Sequence, residues 1–265
     1  MKCRYLVLSA VLAFATFPTQ AGAVSLGSAG SFGLLGGSGV TNAGASVINN
    51  GNVGSAPTAT VTGFPPGVVN NGTLYTVADS VTAQAHTDLI SAYMDALTAP
   101  GGIPGPADLG GATLIPGVYT YASTAPWTAG TLTLDGQGDP NAEWIFQIGS
   151  AITTPVGAIV NLINGASPDH VFWQIGSSAT LGATNTFAGN ILAQTSITLD
   201  GGTLNGRALA IDGLVSITTA ETVNVPQPAA VPSMGPAGAV IAATLMLTVA
   251  GWSFHRRRAL PQRLV

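Results

Sequence analysis

Few side chains in this 265-residue sequence could do chemistry, and they do not cluster. All 11 acids lie between Val24 and Val231, where the only basic residue is Arg207. His86 and His170 are far apart, His255 belongs to the C-terminal tail, and Cys3 is the only cysteine. Without thiols or a histidine pair, no spacing suits a transition metal. Asp135-Gly-Gln-Gly-Asp139 loosely resembles a calcium loop but lacks the later bidentate acid. As a glycosidase pair, Asp135 and Asp139 would both sit in one tight turn, and an Asx-rich turn explains them as well. G-x-S-x-G and P-loop motifs are absent. Arg207 is expected to pair with a turn acid or face solvent. No catalytic residue, metal or cofactor is expected, so the chain does not read as an enzyme. A body with one base against 11 acids has no basic patch for nucleic acid or an anionic membrane.

What does recur is a hydroxyl. The pattern appears as Thr131-Leu-Thr133-Leu, Ala151-Ile-Thr153-Thr, Ser178-Ala-Thr180-Leu, Ser196-Ile-Thr198-Leu and Leu214-Val-Ser216-Ile. Alternation of period two marks a strand with one buried face. Strand repeats about 18 to 27 residues apart suggest a β-solenoid, one coil per repeat. Leu132, Ile152, Ala179, Ile197 and Val215 would then stack inward. Thr133, Thr153, Thr180, Thr198 and Ser216 would form an outward row, with Thr131, Ser178 and Ser196 in a second column interrupted by Ala151 and Leu214. Neighbouring columns would stand about 6.7 Å apart and coils about 4.8 Å apart. Each Thr offers a methyl over which water orders and a hydroxyl that fixes its position. Exposed Thr is also simply a good strand former that stabilises its cross-strand neighbours.

Positioning such a row requires a regular scaffold. The many glycines and prolines signal turns, while the apolar content argues against disorder. A second strand follows each hydroxyl strand, at Ile159-Val-Asn161, Thr186-Phe-Ala188, Thr203-Leu-Asn205 and Thr222-Val-Asn224, giving three strands per coil and a roughly triangular section. Its Thr186, Thr203 and Thr222 form an alternative column that also carries asparagines and lies near Arg207. Asp79 to Leu97 predicts one helix, capped by Asp79 or Ser80, with an apolar face of Val81, Ala85, Leu89, Ala92 and Ala96. Its seat should be Trp144–Ser150 and Val171–Ser177, which are bulky on both faces. The short alternations between Val24 and Val69 suggest a capping coil.

Both ends read as targeting segments. Residues 1–23 have a positive start, an apolar run from Tyr5 to Phe17 and a small-x-small site at Ala21-Gly22-Ala23, so the processed chain should begin near Val24. A proline-rich linker spans 226–236. Ala237 to Phe254 is apolar and ends at His255-Arg-Arg-Arg258, at the lower limit for a membrane span, with the arginines inside. This tail resembles the PEP-CTERM and IPTL-CTERM sorting segments, with Val231-Pro232-Ser233 departing from their signatures. It implies either an anchor or a signal read by a sorting protease. Both place the body outside the cytoplasm, in the medium or on the cell surface.

Further motifs carry a second resemblance. Val24-Ser-Leu-Gly-Ser-Ala-Gly-Ser-Phe32, Gly110-Gly-Ala-Thr-Leu-Ile-Pro-Gly-Val-Tyr119, Leu132-Thr-Leu-Asp-Gly-Gln-Gly-Asp-Pro-Asn141, Val171-Phe-Trp-Gln-Ile-Gly-Ser-Ser-Ala-Thr-Leu-Gly182 and Gly189-Asn-Ile-Leu-Ala193 are similar to the DUF3494 ice-binding proteins. The likeness covers about Val24 to Val225. It implies a mainly β, discontinuous solenoid with one helix alongside, in which the N-terminal segment supplies a coil out of sequence order. It also implies adsorption to ice through an exposed flat face, restraining ice growth and recrystallisation or attaching a cell to ice; the chain is expected to act as a monomer. The second reading is a surface structural or adhesive solenoid that binds a polymer or another cell.

Overall fold

The protein is described from a computed structural model covering residues 24–227. The leader and the C-terminal tail lie outside the described residues, as does all but the start of the linker.

Successive coils stack in parallel, and each coil contributes strands to three faces. The coil that begins at Val171–Ile175 continues through Ala179–Leu181 and into Asn185–Ala193. That last strand and its neighbour Gly202–Ala210 each have nine residues, because each bends from one face onto the next. The bends fall at Gly189 and Gly206, with φ of 115° and 155°. A β-carbon on Gly206 would stand 1.9 Å from the Gly189 carbonyl oxygen, so the stacked corners require glycine.

Side chains facing the interior stack from coil to coil. Leu132, Val160, Phe187, Leu204, Val223 and Ile48 line one face from within, and Ile152, Ala179, Ile197, Val215 and Val40 line another. An aromatic pile fills the centre. Phe146 and Trp173 stack with centroids 4.0 Å apart and planes 8° apart, and Phe187 and Trp127 extend the group. The indole N–H of Trp173 donates to the Ala188 carbonyl at 3.0 Å, so its one polar atom is satisfied in the core.

The chain does not fill this stack in order. Its first strands, Phe32–Gly36, Gly39–Asn42 and Val47–Asn49, pair with Gly202–Ala210, Leu214–Ile217 and Glu221–Asn224, the last coil of the sequence. A further coil, Asn52–Ser55, Val61–Thr62 and Val68–Asn70, covers that one. The helix, Ser80–Leu97, then runs alongside, and the remaining coils lead back toward the N-terminal pair.

The helix sits on a second apolar layer formed by Leu35, Val118, Ile145, Phe172, Leu192 and Leu209. The Asp79 carboxylate accepts from the N–H groups of Val81 and Thr82, and the Thr82 hydroxyl accepts from the Asp79 N–H, a reciprocal cap. At the other end, the Gln147 amide donates to the carbonyls of Ala96, Leu97 and Ala99, which the helix itself leaves unpaired. The buried face is Thr82, Ala85, Leu89, Ala92, Tyr93 and Ala96. Val81 is 42% exposed, contrary to the sequence expectation, because the cap turns Thr82 inward in its place.

Arg207 is a structural clamp. Its guanidinium reaches the Asp169 carboxylate at 2.9 Å, the Asn190 side-chain oxygen at 2.8 Å and the Gly30 carbonyl at 2.8 Å. It thereby ties the first ordered turn to a later one, pairing with a turn acid as expected.

One buried acid runs against the stability of the stack. Glu221 is 1% exposed, in register with Gly202 and Asn185. Burial, with the Asp200 carboxylate adding to it, pushes its carboxyl from 4.5 up to about 7, and neither carboxyl oxygen has a hydrogen-bond partner. The fold binds the proton more tightly than the unfolded chain, so this contribution is complete below pH 4.5 and is lost as pH rises through 7. Urea denaturation should show stability falling by about 3 kcal/mol between pH 4.5 and 8 from this group. Glu221→Gln should flatten that slope and raise the midpoint at pH 8.

Candidate functional site: a hydroxyl face

Six strands form one flat face of the solenoid: Ile152–Thr153, Ala179–Leu181, Ile197–Leu199, Leu214–Ile217, Gly39–Asn42 and Val61–Thr62. Their registers join Thr153, Thr180, Thr198, Ser216, Thr41 and Thr62 into one unbroken outward row. Ser178 and Ser196 stand beside it, two residues before Thr180 and Thr198. Ile152, Ala179, Ile197, Val215 and Val40 lie directly beneath and are almost fully buried. Alternation thus fixes which atom of each strand meets solvent, and the packed layer below holds the strands level.

Local hydrogen bonds orient several hydroxyls. The Thr41 hydroxyl donates to Ser216 Oγ at 3.3 Å. Ser178 Oγ and Thr195 Oγ1 are 2.6 Å apart, and the Leu214 N–H donates to Ser196 Oγ at 3.2 Å. Charge is kept to the margin: Asp200 accepts from the Thr218 hydroxyl at 2.8 Å, and Asp212 accepts from the Gln194 amide at 2.7 Å. The row itself consists of neutral hydroxyls and methyls.

Thr131 and Thr133 are not in this row. Their strand, Thr131–Asp135, pairs with Ile159–Ile163 and Thr113–Leu114 on another face. The similarity of Thr131-Leu-Thr133-Leu to the other repeats is real, but two sheets of one solenoid share the same alternation. The coil placed next to Thr153 instead passes through Ala125, bridged to Ile152. Thr41 and Thr62 complete the row at its other end. Gly39-Val-Thr41 and Thr60-Val-Thr62 repeat the small–apolar–hydroxyl pattern, but they reach this sheet only through the out-of-order coils.

The alternative column is also continuous but has a different surface. Thr186, Thr203 and Thr222 are in register, flanked by Ile159 and Thr131 on one side and by Val47 and Val68 on the other. Beside them runs an amide ladder: Asn70 donates to Asn49 at 3.1 Å, Asn49 to Asn224 at 3.0 Å and Asn224 to Asn205 at 3.0 Å. Those amides are spent on one another. A groove of about 360 Å³, lined by Val160, Leu162, Pro168, Ala188, Asn205 and Pro226 among others, breaks the flatness. Arg207 lies past the Gly206 corner and is buried, so it adds no charge to this column.

The acids considered from sequence are occupied by the fold. Asp135 accepts from the Gln137 N–H at 2.9 Å and the Asn164 amide at 2.8 Å, which hold its carboxyl below its usual range. Asp139 accepts from the Asn141 N–H at 2.8 Å. These are Asx turns. Among the described residues no three His, Cys, Asp or Glu side chains gather as metal ligands.

A family model described as ice-binding-like matches residues 34–223. The chain belongs to the ice-binding-like family. A curated ice-binding protein from Nostoc sp. (strain HG1) is 49% identical over 229 residues, covering 83% of this chain and 82% of that protein. Ice-binding protein 1 of Shewanella frigidimarina (strain NCIMB 400) is 32% identical over 234 residues, covering 77% of this chain and 26% of its relative. The crystal structure of an ice-binding protein from an Antarctic biological consortium aligns with a TM-score of 0.71 at 38% identity, covering 81% of this chain and 96% of that one. The DUF3494 domain of the Shewanella protein aligns at 0.70 and 30% identity, covering 77% and 98%. The family is non-enzymatic. The solenoid with one helix is the architecture of these ice-binding proteins.

For this family member, flatness of the hydroxyl face depends on what lies beneath it. Ile197→Ala removes a fully buried side chain directly under the row. It should cost about 2–5 kcal/mol of unfolding free energy, measured by chemical denaturation of the purified body.

Proposed function

We propose that the chain binds ice, and that the row Thr153, Thr180, Thr198, Ser216, Thr41 and Thr62, flanked by Ser178 and Ser196, is the adsorbing surface. The observation that carries this is the six-strand register itself, which sets one hydroxyl column over a continuous apolar floor. Six strands span about 24 Å between the outermost residues of the row. Each side chain offers a weak contact: a methyl over which water is poorly held and a hydroxyl that donates and accepts. Many such contacts at fixed spacing adsorb together, because the sheet loses little conformational freedom on docking. Neutral residues suit this task, since a charge would hold its own hydration shell against the crystal.

Adsorption restrains crystal growth and recrystallisation. The N-terminal leader and C-terminal segment support export to the medium or cell surface, where a retained tail would let the body attach a cell to ice. The membrane, or a sorting protease acting on that tail, is the further partner this reading involves. The acidic body, poor in basic residues, supports neither nucleic acid nor an anionic surface as a partner.

Thr180→Tyr and Thr41→Tyr should each lower thermal hysteresis by more than half while leaving the circular-dichroism spectrum unchanged. Thr133→Tyr, on the asparagine face, should leave hysteresis intact. Loss on Thr133→Tyr with retention on the other two would move the site to that face. Failure of the unaltered body to partition into growing ice, with retention on cells or polysaccharide, would favour the adhesive solenoid.

A further inference from the structure

The helix covers only part of its face of the solenoid. Beneath it lie Val118, Ile145 and Phe172, an apolar column across three paired strands. Two residues further on, the same strands present Thr120, Gln147 and Gln174 in register, a polar column. The helix ends at Leu97, beside that column, and leaves a cleft of about 330 Å³. Leu97, Tyr121 and Ala122 form part of its wall, and Thr120, Gln147 and Gln174 line it as well.

The donors of that polar column are already spent. Gln147 gives its amide to the carbonyls of Ala96, Leu97 and Ala99. Gln174 is 1% exposed and gives its amide to the Tyr93 hydroxyl at 2.8 Å. The Thr120 hydroxyl donates to the Ile103 carbonyl at 3.1 Å. What the column has left to offer is acceptor oxygen, above all Gln174 Oε1, which is buried with no partner. The Tyr121 hydroxyl is likewise buried and unpartnered. A buried acceptor is costly until a donor meets it.

Charge points the same way. A helix carries partial negative charge at its C-terminus, which a nearby cation complements. The last turn of this helix holds Asp95 and no basic residue. Arg207, the one base between Val24 and Val231, is bound to Asp169. The cleft therefore sets unmet acceptors at a negative helix end, in an acidic body that draws cations toward it.

We propose that this cleft binds a small organic cation with N–H donors: a primary alkylammonium whose head donates to Gln174 Oε1 and whose short chain lies against Leu97 and Ala122. The site is on the helix face, apart from the hydroxyl row, and does not depend on the ice-binding reading. A charged head makes the stronger, charge-assisted bond to the amide oxygen, which a neutral hydroxyl does not.

The probe is butylammonium, titrated into the isotope-labelled full chain and followed by two-dimensional NMR. The amide signals of Leu97, Gln147 and Gln174 should shift and saturate at millimolar concentration. Tetramethylammonium has the charge but no N–H, and butanol has the chain but no charge. Each should bind at least about tenfold more weakly, and either one binding as tightly as butylammonium overturns the proposal. Saturable binding of butyrate at these residues overturns it too, because an anion needs a donor where the proposal has an acceptor. So does the lack of any saturable shift, which would leave only water on Gln174. Gln174→Leu should weaken butylammonium about tenfold. Should that variant not fold, Leu97→Trp fills the cleft from its outer side, since Leu97 is 43% exposed, and should abolish the shift at Gln174. Unchanged affinity in whichever variant folds overturns the proposal.

Discussion

A single coil of this solenoid cannot bury its own inward side chains or pair its own backbone edges. Both needs are met only by a neighbour stacked in parallel and in register, and every other feature depends on that constraint. Register carries Thr180 onto Thr198 and, by the same step, Ala179 onto Ile197. The outward row and the inward core are therefore two readings of one ladder, and neither can slip without the other. The glycine corners follow as well, since two stacked coils bring backbone against backbone at Gly189 and Gly206.

Stacking also settles how the ends are treated. Open strand edges invite pairing with other chains. At one end the N-terminal coils cover the last coil of the sequence, and their own outer strands are short, with Pro57, Pro65 and Pro66 close by. The helix performs a different service, covering a face whose outward side chains are apolar. Gln147 and Gln174 sit on that face and donate their amides to the helix, Gln147 to carbonyls at its C-terminal end and Gln174 to the Tyr93 hydroxyl. Polar atoms there position the helix, whereas polar atoms on the other two faces meet water.

The alternation made much of this legible in the sequence. Thr153, Thr180, Thr198 and Ser216 share a column because each stands one residue after an inward Ile, Ala or Val at near-regular spacing. The Asp79 cap and the bulky double-sided strands that seat the helix were equally visible. Thr131 and Thr133 show where pattern stops being informative. Period two says that a residue faces out, and says nothing about which of three faces it leaves from. Only the lengths of the intervening turns decide that, and the coils around residues 113–163 are irregular. Thr41 and Thr62 were hidden for another reason. The partner of Thr41 is Ser216, 175 residues away, and Thr62 joins the row only through Thr41; no local signal announces that the chain will insert its start beside its end. Arg207 announced only that it needed an acid; the carbonyl of Gly30 among its partners belongs to the same long-range closure.

That closure bears on biosynthesis. Thr41 meets Ser216, and Ser46 meets the N–H of Glu221, across 175 positions of sequence. The first coils translated must wait for the last before they have a surface to rest on, and contacts of such separation are slow to form. A chain that ends before Ser216 holds Thr41 and Thr62 but has no strand to join them to Thr198. The surface is therefore assembled only when the polypeptide is whole, so its full breadth doubles as a test that synthesis was completed.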